Sequence, residues 1–288
     1  MSNRTACLIR PGVSLAVGLS ALAGYVLASG GLDGAAGVGS GPDAVPGGAL
    51  VFAGTFALGA AVSVLNQIQE RGRDALMERT RERPLASGRM SPRQGGQVFA
   101  ALLLAAALCL WPGLGWGVVP VSLAVLGLYN GLYTPLKPVT GWAMIPGAAC
   151  GALPPWIGWL AGGGAPLALT PFYLFALYFV WQMPHFWMLA EANAEDYAAA
   201  GFPVPANSFS PFSRKAIPRL WALALASLAG MAPLFGFLSH PGQAYALATA
   251  CPSYAALAIF ARARVLRLAS DGFLAAVVGL MVAERLGG

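Results

Sequence analysis

Charged side chains are scarce in this sequence of 288 residues, of which Asp, Glu, Lys and Arg together make up 10%. A soluble domain carries roughly 25% charged residues. Here hydrophobic residues reach 57% and the mean hydropathy is +0.66. This composition excludes an ordinary soluble globular protein and predicts an integral membrane protein.

Residues and motifs that mark common soluble enzymes are also few. The chain has two histidines and four widely separated cysteines, so it contains no CxxC or other zinc-binding spacing. HExxH, P-loop, GxSxG and dinucleotide-binding patterns are missing. The net charge of +6 does not indicate nucleic-acid binding, because the basic residues lie between apolar runs and no recognition module is present.

Apolar stretches recur along the chain, each near the roughly 20 residues that an α-helix needs to cross a bilayer. They predict an all-α, polytopic bundle of nine transmembrane helices in a single domain, residues 1–288, with a kink at Pro154 and Pro155 in the fifth helix. The first stretch is also compatible with a cleaved signal peptide. The predicted helices are Val13–Ala28, Ala49–Glu70, Gln94–Leu110, Leu114–Leu132, Trp142–Ala161, Thr170–Ala190, Ala216–Leu238, Gln243–Phe260 and Asp271–Leu286.

The distribution of Lys and Arg predicts the orientation of this bundle. With a cytoplasmic amino terminus, every basic residue except Arg285 lies on the cytoplasmic side. The loops Asn66–Pro84, Tyr133–Lys137 and Glu191–Gly201 then share that side. Polar groups near the middle of the membrane are more typical of a transporter. Charges at the helix ends favour an enzyme that acts at the membrane surface on a substrate with a charged head and an apolar tail.

The polar stretch that follows the apolar run Leu50–Leu65 is the most informative. Asn66, Glu70 and Asp74 come at four-residue steps, so on a helix they share one face, one turn apart. Such oxygen ligands suit Mg²⁺, which takes one or two carboxylates together with phosphate oxygens of a substrate. The interpretation is a Mg²⁺–diphosphate site at the membrane surface.

Arginines follow these carboxylates at once, and guanidinium groups suit phosphate. The arginines alone would be explained as a signal that fixes topology. Carboxylates near the hydrocarbon boundary are costly, however, and this cost favours the functional interpretation. The arginines are Arg71, Arg73, Arg79, Arg81 and Arg83.

A second acidic cluster follows the predicted sixth helix. Glu191 and Glu195 are four residues apart, and Asn193 and Asp196 lie beside them. On the same membrane face, this cluster is expected to hold the other side of a Mg²⁺-bridged diphosphate. We rank Glu195 below Asp196, because Glu195 is equally compatible with a solvated neighbour.

These motifs resemble the UbiA superfamily of intramembrane prenyltransferases, and most closely its heme-farnesylating branch. Glu70 stands where that family usually has Asp, and Arg10-Pro11 resembles the entry to the family's first helix, which favours a retained first helix. The similar passages are Asn66-x-x-x-Glu70-x-x-x-Asp74-x-x-Met77-x-Arg79-Thr80-x-x-Arg83-Pro84, Tyr133-Thr134…Lys137, Gly151–Pro155 and Pro184-His185-Phe186-Trp187…Asp196-Tyr197-x-x-x-Gly201-x-Pro203.

The resemblance implies a Mg²⁺-dependent transfer of a farnesyl group from farnesyl diphosphate to a vinyl group of protoheme IX, giving heme O. His185 is then expected to contact the heme as an iron ligand or a propionate partner, although a bond to a carbonyl at a helix end would also explain it. The implied catalytic residues are Asn66, Glu70, Asp74, Arg79, Arg83 and Lys137, the substrate-binding residues are Tyr133, His185, Asp196 and Tyr197, and the metal ligands are Asn66, Glu70, Asp74, Glu191 and Asp196.

The resemblance also implies a place in the cell. It predicts an integral protein of the bacterial inner membrane, surrounded by membrane lipid, with heme A synthase or a terminal oxidase as a partner and no nucleic acid. Two alternatives stay open. One is a UbiA-type enzyme with an aromatic or lipid acceptor, and the other is a non-catalytic heme-handling or transport protein.

Overall fold

The computed structural model describes residues 8–31, 47–111 and 115–287, and no strand occurs within them. Most of the segment between the first two predicted helices lies outside these residues, as does the predicted start of the fourth helix at Leu114. The helices are α1 (Pro11–Ser29), α2 (Gly47–Asp74), α3 (Pro92–Leu110), α4 (Val118–Leu136), α5 (Met144–Gly151), α6 (Pro154–Ala161), α7 (Leu169–Ala192), α8 (Ala194–Ala199), α9 (Pro211–Gly230), α10 (Pro241–Phe260) and α11 (Ala263–Gly287).

Five helices in the described part of the chain are long and apolar enough to cross a membrane, namely α1, α2, α3, α4 and α11. Leu104 and Leu108 on α3 and Leu123 on α4 are exposed, as expected of side chains that face lipid. Helices α7, α9 and α10 contain 24, 20 and 20 residues, and each has an internal proline. The chain is therefore a polytopic, all-helical membrane protein.

Several helix boundaries differ from the prediction. The predicted fifth helix is two helices, because prolines at positions 154 and 155 cannot donate the backbone bonds that would continue α5. Helix α2 continues beyond Glu70 to Asp74. Helix α11 begins at Ala263 rather than Asp271, so Asp271 lies two turns inside the helix.

Helix α1 packs against α2 and α6 within the bundle. At Gly158 of α6, a Cβ would overlap the carbonyl oxygen of Ala21, and at Gly24 of α1 it would overlap that of Pro155. Glycine at both positions lets the two backbones approach closely. Removal of α1 would leave this surface of α6 without its partner.

Candidate active site

Three polar side chains are buried along the end of α2. Asn66, Glu70 and Asp74 are 2%, 6% and 1% exposed, respectively. Because α2 runs through all three positions, they stack on one face, as the four-residue spacing predicts. The side-chain nitrogen of Asn66 donates to Oγ1 of Thr134 on α4 at 3.1 Å. This bond joins the two helices at the level of the carboxylates.

Each carboxylate of this face pairs with a cation from a different segment. Nζ of Lys137 lies 2.8 Å from Oε1 of Glu70, and Nη1 of Arg83 lies 2.8 Å from Oδ2 of Asp74. Oδ1 of Asp74 is buried and has no hydrogen-bond partner among the described residues. Buried polar atoms normally have such partners, so this oxygen is suited to a ligand.

Lys137 keeps its charge in this setting. Burial lowers the pKa of its ammonium group, but Tyr133, Tyr129 and the Glu70 carboxylate outweigh burial, so the pKa lies above its ordinary value. The ammonium also lies 4.5 Å from the centroid of the Tyr133 ring, within the range of a cation–π contact. A positive charge therefore faces Glu70.

These charges open into a cavity of about 140 Å³ whose other wall is apolar. Helix α7 contributes Phe186 and Leu189 to that wall. One end of the cavity thus suits an anion, and the remainder suits a hydrocarbon chain. The polar lining residues are Arg10, Asn66, Glu70, Asp74, Arg79, Arg83, Lys137 and Thr140, and the larger apolar and aromatic ones are Met77, Tyr129, Tyr133, Met144, Phe186, Leu189, Tyr197 and Phe202.

The loop after α2 is also held by hydrogen bonds that involve the side chains of Thr80 and Asp196. Oγ1 of Thr80 donates to the backbone oxygen of Asp74 at 2.8 Å. Asp196 accepts the backbone N–H groups of Glu78 and Arg79, at 2.9 and 3.3 Å. The carboxylate of Asp196 thereby fixes the backbone that carries Arg79 into the cavity.

The structure brings most of the predicted site residues together, but Glu191, Asp196 and His185 do not line the cavity. Glu191 pairs with Nε of Arg214 at 3.3 Å, and Asp196 binds the loop backbone. Across the described ranges, no three or more His, Cys, Asp or Glu side chains are grouped so as to hold a metal. The two acidic clusters therefore do not form a joint carboxylate cage.

His185 bonds a carboxylate and not a carbonyl group at a helix end. Its Nδ1 lies 3.2 Å from Oδ1 of Asp271 on α11, and Nε1 of Trp181 donates to the same oxygen at 3.1 Å. Phe186, the next residue in the chain, does line the cavity. His185 thus lies beside the cavity wall.

Arg10 lines the cavity but was not among the predicted site residues. Its backbone is left-handed, with φ of 47°, which is uncommon for a residue other than glycine. The segment is anchored because Gln67 of α2 donates to the backbone oxygen of Leu8 at 2.6 Å, next to Asn66. The available signal was the Arg10-Pro11 pair, which we used for topology and for the start of the first helix but not for the site.

A π-helical segment, Gly127–Tyr133, interrupts α4 beside the site. Within it, Asn130 is buried and donates to Oε1 of Gln69 at 3.0 Å, while Gln69 donates to the backbone oxygen of Asn130 at 2.9 Å. Such segments are frequent at functional sites. This one sets the positions of Tyr133 and Thr134 against α2. The signal that sequence reasoning missed was Asn130, an isolated amide in the otherwise apolar helix α4.

Comparisons with known proteins identify the family to which this chain is similar. A model of the UbiA prenyltransferase family matches residues 17–278. Protoheme IX farnesyltransferase from Oleidesulfovibrio alaskensis is 42% identical over 240 residues, covering 83% of this chain and 80% of the relative. The enzyme of the same name from Geobacter sulfurreducens is 38% identical over 246 residues, covering 83% of this chain and 84% of the relative.

Solved structures show the same fold at low sequence identity. Digeranylgeranylglyceryl phosphate synthase superposes with a TM-score of 0.74 at 12% identity, covering 99% of this chain and 98% of that one. A UbiA homologue from Archaeoglobus fulgidus bound to GPP and Mg²⁺ superposes with a TM-score of 0.67 at 14% identity, covering 97% of this chain and 99% of that one.

Proposed function

The chain belongs to the UbiA prenyltransferase family, and we propose that it transfers a farnesyl group from farnesyl diphosphate to a vinyl group of protoheme IX, giving heme O. Relatives at 42% and 38% identity carry the name protoheme IX farnesyltransferase. One observation carries the proposal. Buried Glu70 and Asp74, each paired with a cation, stand at the polar end of an otherwise apolar cavity.

The residues at the end of α2 fit a magnesium ion. Carboxylate and amide oxygens are the ligands that Mg²⁺ prefers, and Asn66, Glu70 and Asp74 offer them within two turns of helix. Oδ1 of Asp74, buried without a hydrogen-bond partner among the described residues, is the best-placed donor. When bound, the ion neutralises diphosphate charge and so favours departure of the leaving group.

Four cations are placed to bind the diphosphate. Arg83 and Lys137 reach it from their carboxylate partners, and Arg10 and Arg79 line the same end of the cavity. Fixed positive groups stabilise negative charge most strongly as it develops on the leaving oxygen. We therefore assign these four residues to diphosphate binding and transition-state stabilisation.

The apolar wall protects the reacting carbon. Breaking the carbon–oxygen bond of an allylic diphosphate leaves a delocalised cation, which water would destroy. Tyr133 and Phe186 present aromatic rings at this point and exclude water. The vinyl electron pair then forms the new carbon–carbon bond, and a water molecule adds to the porphyrin-side cation with loss of a proton, which gives the hydroxyethylfarnesyl group.

The role of the second acidic cluster is narrower in this proposal. Asp196 acts by holding the backbone of Glu78 and Arg79, and Tyr197 lines the cavity as a substrate contact. A direct metal role for Asp196 or Glu191 would require their carboxylates to leave their present partners. His185 is proposed as a contact of the protoheme acceptor.

We also propose nine membrane crossings with the amino terminus and the site on the cytoplasmic face of a bacterial inner membrane. The start of α1 and the ends of α2 and α4 meet at the cavity, as crossings in alternating directions require. Nearly all basic residues then lie inside. Enzymes that use heme O, such as heme A synthase or a terminal oxidase, are the expected partners.

A transfer assay tests the proposal. The purified chain in lipid nanodiscs receives labelled farnesyl diphosphate, Mg²⁺ and either protoheme IX or 4-hydroxybenzoate. Labelled heme O, identified by mass spectrometry, is the expected product. Label on 4-hydroxybenzoate alone would reject the heme acceptor, and no transfer to either would favour a heme-handling protein.

A further inference from the structure

A cluster outside the diphosphate cavity joins α7 to α11. Oδ1 of Asp271 lies 3.2 Å from Nδ1 of His185 and accepts the indole N–H of Trp181 at 3.1 Å. None of these three residues lines the cavity. The mechanism proposed above does not use Asp271 or Trp181, so the cluster needs its own explanation.

The position of Asp271 argues against a purely structural role. The residue lies two turns inside α11, a candidate membrane span, where a carboxylate is costly and usually functional. A carboxylate that only fastened two helices together would be expected to be buried. The side chains of Asp271 and His185 are instead 40% and 27% exposed, so a ligand can reach both.

The hydrogen bonds fix which imidazole nitrogen carries the proton. An ionised carboxylate only accepts, so Nδ1 of His185 must be the protonated, donating nitrogen. The lone pair of the neutral ring is then on Nε2, which has no hydrogen-bond partner in the described ranges. A carboxylate that orients the far nitrogen of a histidine is the usual arrangement behind a metal-binding imidazole.

We propose that Asp271 and Trp181 are positioning residues, which hold the ring of His185 in the tautomer whose Nε2 is free to ligate the iron of protoheme IX. This inference rests on the proposed function, because the iron belongs to the acceptor substrate. Imidazole is a common axial ligand of heme iron.

The surroundings of the imidazole suit a porphyrin. The rings of Trp181 and Phe186 have centroids 5.3 and 6.2 Å from that of His185, and both offer flat apolar surfaces. Because Phe186 also lines the cavity, a macrocycle held at His185 lies one residue from the cavity wall. Ligation would thus orient the acceptor beside the farnesyl carbon.

Absorption titrations of the full chain in nanodiscs test the inference, with protoheme IX and metal-free protoporphyrin IX as probes. His185→Ala is expected to lose the histidine-ligated Soret band, and imidazole added to His185→Gly is expected to restore it. Asp271→Asn is expected to weaken protoheme binding about 10–100-fold and leave protoporphyrin binding unchanged. His240→Ala removes the other histidine and serves as the control.

Unchanged spectra in the His185 variants would overturn iron ligation. Equal loss of both probes in Asp271→Asn would overturn the positioning role, because metal-free porphyrin has no iron to ligate. Farnesyl transfer by the wild type separates the two proposals. Transfer without a His185-dependent spectrum rejects ligation alone, and a His185-dependent spectrum without transfer supports ligation and rejects the activity.

Discussion

Asp74 pairs with Arg83 at 2.8 Å through one carboxylate oxygen while its other oxygen lies buried without a hydrogen-bond partner in the described part of the chain. One oxygen of the Asp74 carboxylate thus binds the Arg83 guanidinium, and the other is available to a ligand. A residue needed only for stability would gain from a second donor. Because only one oxygen of the Asp74 carboxylate makes a hydrogen bond within the described part of the protein, we expect its substitution to reduce catalysis more than stability.

Asp74→Asn is expected to reduce farnesyl transfer by at least about 100-fold, because loss of one preorganised charge at a reacting centre typically has that effect. The amide keeps the size of the side chain and an oxygen that Arg83 can donate to. Protoheme binding should therefore be unchanged. The measurements are initial rates with labelled farnesyl diphosphate and a parallel Soret titration.

The exposed Glu195 supplies the matched control, since Glu195→Gln removes a carboxylate that does not line the cavity. Its rates should stay at the wild-type level. Retained transfer in Asp74→Asn would show that the metal role belongs to another residue.

Glu70→Asp is expected to keep the activity within about tenfold of wild type, and Glu70→Gln to lose about 100-fold. Aspartate preserves the charge and shortens the side chain by one methylene, which lengthens the 2.8 Å contact with Lys137. The shorter variant should need more Mg²⁺ for half-maximal rate. Magnesium titrations of the two variants give the comparison, and equal rates for both would exclude a charge requirement at this position.

Arg10 can be probed by two substitutions that differ only in backbone freedom. Arg10→Ala and Arg10→Gly both remove a guanidinium that contributes about 1.5–3 kcal/mol to a charged hydrogen bond, so both should weaken farnesyl diphosphate binding roughly 10–100-fold. Glycine also relieves the left-handed backbone, which costs other residues about 1–2 kcal/mol. The glycine variant should therefore melt at the higher temperature.

Binding isotherms and thermal melts of the pair, with Arg81→Ala as an exposed arginine control outside the cavity, complete the test. If binding survives while stability changes, Arg10 has a purely structural role. If protoheme binding weakens and diphosphate binding does not, Arg10 faces a propionate instead.

Gln69 and Asn130 are expected to act as one unit. Asn130→Leu removes a buried side chain that bonds both Gln69 and the backbone oxygen of Val62, at a cost of about 1–3 kcal/mol in the free energy of unfolding, and Gln69→Leu deprives buried Asn130 of one of its partners, at a cost of about 0.5–1.5 kcal/mol. The double variant should cost less than the sum of the two. Denaturant melts of the four proteins measure the coupling, and strict additivity would show that the two amides do not depend on each other.

Sequence reasoning succeeded where the signal was local. The stripe from Asn66 to Asp74 depends only on helical periodicity, and α2 presents it as expected. It failed at the start of α11, because hydropathy marks where the membrane ends and a helix can continue past that boundary. Asp271 was therefore assigned to a helix end and its contact with His185 was missed.

The partners of Asp196 could not be read from the chain for another reason. Its contacts with Glu78 and Arg79 join segments that are 118 and 117 residues apart. Composition and spacing carry no information on such pairings, so two acidic clusters on one membrane face were expected to share a ligand. In the structure, Asp196 of the second cluster instead accepts the backbone N–H groups of Glu78 and Arg79.

The contact between Asp196 and the loop after α2 has a consequence for the synthesis of the protein. When only α1 to α4 have been synthesised and inserted into the bilayer, the loop after α2 lacks the Asp196 carboxylate that binds its backbone in the complete protein. Those two hydrogen bonds form only when residue 196 has been synthesised and the second half of the protein has packed against the first. An unfinished chain therefore leaves the backbone of Arg79 without this support beside the cavity.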